Sequence, residues 1–78
     1  MTWIKIDRDE NGVASIESIN KIIKLHQDGF PVALASKDTY GYEYDVISPT
    51  HDIFEYYGDI EHSSYYTHYL PMPKAPEL

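Results

Sequence analysis

The chain has 78 residues, no cysteine, thirteen Asp and Glu against six Lys and Arg, and a formal net charge of −7. This length holds one domain with a small core, because so short a chain buries only about 60 % of its unfolded surface. The lack of cysteine excludes disulfides, thiolate chemistry and Cys-type zinc sites. The charge argues against direct nucleic-acid binding, which needs Lys and Arg to release counterions from phosphate.

Residues 2–6 alternate polar and apolar side chains around Trp3, the pattern of a short strand, and Asn11-Gly12 signals the turn that follows. Over 13–28 the period lengthens to that of a helix. Val13, Ile16, Ile19, Ile22, Ile23 and His26 share one arc, and Glu17, Lys21, Lys24 and Asp28 the opposite one. Ser15 is placed to cap its start, and Gly29 to end it in a left-handed conformation. His26, on the apolar arc, reads as a hydrogen-bonded core histidine, with pH sensing in an interface as the other role.

Residues 30–36 are apolar and too few for a second helix after Pro31, which predicts a central strand covered on both faces. The chain turns at 37–41 and alternates again over 42–47. Tyr42, Tyr44 and Val46 take one face, and Glu43, Asp45 and Ile47 the other. The simplest role for Tyr42 and Tyr44 is packing against the helix. At 53–57 the aromatic and β-branched content favours a strand, although Asp52 is also placed to cap a helical turn. Residues 58–64 read as a loop and 65–70 as a last strand, with Pro71 and Pro73 making it an edge or terminating one. The expected fold is α+β: a single mainly antiparallel sheet of four to five strands with one helix packed on a face. The domain is expected over 1–73, with a flexible tail at 74–78.

The distinctive feature is segregation of charge. Residues 38–72 hold seven carboxylates, all eight tyrosines and no Lys or Arg, so this segment alone carries −7, while the remainder balances to zero. An acidic surface attracts a basic one and steers its approach. Exposed tyrosines are enriched where proteins bind proteins. The expected partner-binding residues are Tyr40, Glu43, Asp45, Asp52, Glu55, Tyr56, Tyr57, Asp59, Glu61 and Tyr65.

No pattern points to catalysis. His51, His62 and His68 lack a metal-ligand spacing such as H-x-x-x-H and read as surface or turn residues. Ser36, Ser48, Ser63 and Ser64 have no motif that would make a nucleophile of them. Glu43 and Asp45 would need an enclosing pocket for acid and base work, which a core this small hardly provides. No catalytic residue, metal or cofactor is expected. No run approaches a membrane span or a signal peptide, so a cytoplasmic protein without membrane contact is expected.

The two ends carry a resemblance. Trp3-Ile4-Lys5-Ile6 and Thr67-His68-Tyr69-Leu70-Pro71-Met72-Pro73, with Val32 to Ala35 between them, resemble a small domain of unknown function from tailed phages, prophages and their hosts. That family opens with Trp-Ile and closes with Thr-His-Trp-Met-Pro-Leu-Pro. Tyr69 stands here in place of its last Trp, and a long helix separates the first two strands. The resemblance implies a phage accessory protein that acts in the host cytoplasm and carries no catalytic residue. Combined with the charge pattern, it leads to the expectation of an inhibitor of a host protein or defence complex of restriction, phage-exclusion or CRISPR type. Its carboxylates and tyrosines would occupy a basic surface of the nucleic-acid-binding kind, as a DNA mimic does. The alternative is a homodimeric assembly module with no inhibitory role, burying apolar surface across a sheet edge or helix face.

Overall fold

A computed structural model describes residues 2–62, 65–74 and 76. The elements are β1 (Ile4–Lys5), α1 (Ile16–Gln27), β2 (Val32–Asp38), β3 (Gly41–Ile47), α2 (Phe54–Glu61) and β4 (Tyr66–Pro71). The strands form one antiparallel sheet in the order β1-β4-β2-β3. This is the expected α+β architecture, with a second helix in place of a fifth strand.

Local chemistry fixes α1 at both ends. Ser15 Oγ accepts from the Ser18 N–H at 3.1 Å, satisfying one of the unpaired donors of the first turn. At the other end Gly29 adopts φ +86°, and the N–H groups of Gly29 and Phe30 return to the carbonyls of His26 and Leu25. That pair of bonds is a Schellman closure, which a side chain at Gly29 would strain.

Opposite residues in an antiparallel pair share a face. On β2 and its neighbours, Val32, Ile47 and Pro71 form one row, and Leu34, Asp45 and Tyr69 the next. Val32, Leu34, Ile47 and Tyr69 are almost fully buried with Ile19 and Ile22 of α1 and with Ile53 and Ile60, which bracket α2. Both helices therefore cover the same face of the sheet. The pairing of β2 with β4 is offset by a bulge between Ala35 and Ser36.

Three expectations are corrected, and of the two alternatives for the last strand, edge or terminating, the second holds. Residues 53–57 are not a strand, nor 58–61 a loop: Ile53, Tyr56, Tyr57 and Ile60 pack inward at helical spacing, and this burial overrides their β propensity. Strand β2 is covered by helices on one face only. On the other, Ala35 is buried among Trp3, Tyr42, Tyr44 and His68, and Ala33 is buried in the row between Val46 and Leu70. Tyr42 and Tyr44 lie on that other face, not under the helix, since Ile47 is the residue of β3 that enters the core. Strand β4 is interior, and Pro71 is tolerated because it is the last paired residue, after which Met72 N–H bonds to Pro31 O. Of the expected tail, residues 75, 77 and 78 lie outside the described part of the chain, and Lys74 Nζ sits 4.9 Å above the Phe30 ring.

Candidate functional site

The acidic residues gather on β3 and α2. Glu55 and Asp59 stand one turn apart on α2, beside the core-facing Ile53, Tyr56 and Ile60, Asp52 lies just before the helix, and all three acids are exposed. Asp52 also accepts from the Phe54 N–H at 3.0 Å and so helps start the helix. Glu43 and Asp45 are exposed on the helix side of β3, the edge strand.

Tyr66 holds one end of the β3 group. Its ring is 4 % exposed, its hydroxyl donates to Asp45 Oδ2 at 2.8 Å, and the charge of Asp59 also reaches it. Burial, then the hydrogen bond and charge of Asp45, then Asp59, hold the phenol well above its ordinary pKa. Asp45 on β3 is thus bonded to this buried phenol, and the charge of Asp59 on α2 acts on it as well; together the exposed acids of β3 and of α2 are the acidic flank.

Three basic residues are engaged by other partners. Lys21 bridges Glu17 and Lys24 bridges Asp28, both within α1. Arg8 is engaged by backbone: Nη1 donates to Gly12 O at 2.8 Å and Glu61 O at 3.2 Å, and Nη2 to Tyr66 O at 2.8 Å. Its Nε is buried with no partner among the described residues, and burial pulls the guanidinium below its ordinary pKa. Among the described residues, no Lys or Arg bridges to Glu43, Asp45, Asp52 or Glu55.

The other expected contact residues divide. Tyr40 is 98 % exposed at the tip of the β2–β3 hairpin, where its N–H is fixed by Asp38 Oδ1 at 2.7 Å. Tyr65 is half-exposed with its ring edge-on to Tyr66, centroids 4.9 Å apart. Tyr56 and Tyr57 pack against the core and present only part of their rings. Glu61 is half-buried, where it accepts from Tyr57 and contacts His62, so it belongs to the scaffold more than to the flank. The bond to Glu61 is also the main cause that raises the Tyr57 pKa.

The histidines have separate tasks. His26 Nε2 lies 2.8 Å from His51 O, so that nitrogen carries the proton, and His26 ties α1 to the loop before α2. His51 Nδ1 accepts from the Ser48 N–H, and His68 Nδ1 lies 2.8 Å from Thr67 Oγ1. Among the described residues no three of His, Asp and Glu gather as a metal would need.

The sequence did not suggest two other surfaces. One is an apolar groove of about 740 Å³ between α1 and the β1 edge, lined by Ile4, Ile16, Leu25 and Pro71. The other is the uncovered face of the sheet, where Trp3 stacks on Tyr44 and Tyr42 meets His68 edge to face. The 42–47 alternation gave a signal for it, once Ile47 is taken as the core-facing residue.

No protein-family model, curated protein or solved structure matches this chain. No helix among the described residues is long and apolar enough to cross a membrane.

Proposed function

We propose that the chain is a small acidic binding protein that blocks a basic, nucleic-acid-handling surface of a partner protein with the flank formed by β3 and α2. The observation that carries this is the exposure of Glu55 and Asp59 on α2, of Asp52 just before it and of Glu43 and Asp45 on β3, with the described lysine bridges confined to α1. Each carboxylate offers a guanidinium two acceptor oxygens, the geometry by which a phosphate is also held. Tyr40 and Tyr65 supply exposed rings that gain by being desolvated at the contact. The resemblance of the chain's two ends to a phage domain supports a host defence complex as the target, with the protein acting in the host cytoplasm.

The test is capture from host lysate with the wild-type chain and a Glu43→Lys/Glu55→Lys variant as baits. Both positions are exposed and neither side chain makes a described hydrogen bond, so the variant stays folded, at a cost of about 1 kcal/mol or less for reversing the Glu55 charge in the first turn of α2. Asp45 is left in place because it accepts from Tyr66. The proposal expects a basic partner that the variant fails to hold, and capture that weakens as salt rises from about 50 to 200 mM. Equal capture by both baits refutes it.

A homodimeric assembly module is favoured by a different surface, the uncovered face of the sheet.

A further inference from the structure

The uncovered face has a chemistry opposite to that of the flank. Trp3 and Tyr44 stack with centroids 5.6 Å apart, Tyr42 and His68 meet at 6.1 Å, and these rings surround Ala35 in a groove of about 290 Å³. Val46 and Leu70 extend the apolar surface along the next row, opposite Ala33. Strand alternation puts Lys5 and Lys37 on this face, and Asp38, Glu43 and Asp45 on the other. In a chain of net charge −7, the strands thus offer one face with two cations and no carboxylate.

We propose that a second copy of this chain covers that face, in an isologous dimer that packs the two sheets together. Two molecules that each carry −7 repel one another, and this is the approach that brings no strand carboxylates together. The area suffices for a weak contact. At about 200 Å² per ring, exposures of 36 % for Trp3, 46 % for Tyr42 and 62 % for Tyr44 leave about 300 Å² of aromatic surface on each copy. With Val46, Leu70 and the lysine stems, two copies bury on the order of 1,000 Å², the lower end of specific interfaces. Facing sheets pack about 10 Å apart, which leaves room for one layer of rings from each side. The helices and the acidic flank then point outward in both copies. The dimer is independent of the partner-blocking proposal, and it would present that flank twice.

Trp3 is the only tryptophan, so the interface contains its own probe. Sedimentation equilibrium and Trp3 emission are measured together from about 1 to 200 µM, a range that brackets a contact of this area. The expected result is a mass that rises from 9.0 kDa toward twice that value, with a blue shift of Trp3 emission over the same range. Added salt strengthens the dimer by screening the net charges, whereas it weakens partner capture. Tyr44→Lys and Val46→Lys are each expected to weaken association at least 10-fold with unchanged circular dichroism, and Glu55→Lys to leave the dimer intact. Tyr44→Lys alone, at the more exposed position, decides the matter if Val46→Lys does not fold. A strictly monomeric mass throughout overturns the proposal, as does a Tyr44→Lys dimer of undiminished affinity. A monomer whose Trp3 emission instead responds to a single-stranded oligonucleotide or an acidic peptide also overturns it, and gives the face to that ligand.

Discussion

Tyr66 donates its hydroxyl hydrogen to Asp45 from β4 across the intervening strand β2, at 2.8 Å. Two strand spacings separate the backbones, about 10 Å, so the ring must lie flat across β2. Ser36 is the residue of β2 opposite Tyr66, and it is small and 3 % exposed beneath this crossing. One buried phenol therefore closes the core at this end and fixes a carboxylate at the rim of the acidic flank.

Removing that hydroxyl separates its two effects. Tyr66→Phe keeps the ring and loses the bond, and is expected to cost about 1 kcal/mol in urea unfolding. The pH dependence has a definite sign. The folded state holds the Tyr66 phenol above its unfolded value, so the neutral form is the one that folding favours. Its contribution is complete below about pH 10 and is lost as pH rises from there toward the folded pKa. Wild-type melting temperature should fall more steeply above pH 10 than that of Tyr66→Phe. Parallel curves would mean that the phenol is not held in this way.

Arg8 joins three segments through its fork. Its Nη atoms donate to carbonyls of Gly12, Glu61 and Tyr66, and thereby close the C-terminus of α2 against the start of β4. Arg8→Ala is expected to cost about 2–3 kcal/mol, the scale of bonds from a charged donor. Arg8→Lys should recover little of this, because a single ammonium cannot span three fixed acceptors. Urea midpoints of the two variants check it, and full rescue by lysine would show that charge alone is needed.

Two glycines should respond to the same substitution with opposite signs. Gly58 lies inside α2 with open space where a Cβ would stand, so Gly58→Ala should add about 0.5–1 kcal/mol. Gly29 holds φ +86° at the end of α1, and Gly29→Ala should cost about 1 kcal/mol. In thermal melts of a domain this size, about 1 kcal/mol moves the midpoint by 4–8 °C. If Gly58→Ala proved destabilising, the segment would not be helical in solution.

Much of this arrangement can be read in the sequence, and the exceptions have physical causes. Ser15 and Gly29 delimit α1 because capping is local chemistry. The alternation over 42–47 gave the two faces of β3 correctly but not their destinations, since which face meets the helices depends on where Ile47 and the distant Ile53 and Ile60 pack. Helix α2 was hidden by Tyr, Phe and Ile, which favour strands, and by Gly58. The 53, 56, 57, 60 spacing behind Asp52 was nonetheless a helical signal. The concentration of acid over 38–72 was plain, whereas the half-burial of Glu61, Tyr56 and Tyr57 was not, because burial is decided by residues remote in sequence.

The acidic flank is tested most directly by loading equal amounts of wild-type chain and Glu43→Lys/Glu55→Lys on a support, passing host lysate over both, and quantifying the bound proteins by mass spectrometry. The account predicts a basic host protein retained by the wild type and reduced at least 10-fold on the variant, whose circular dichroism is unchanged. Retention of the same protein in equal amount by a correctly folded variant would contradict it.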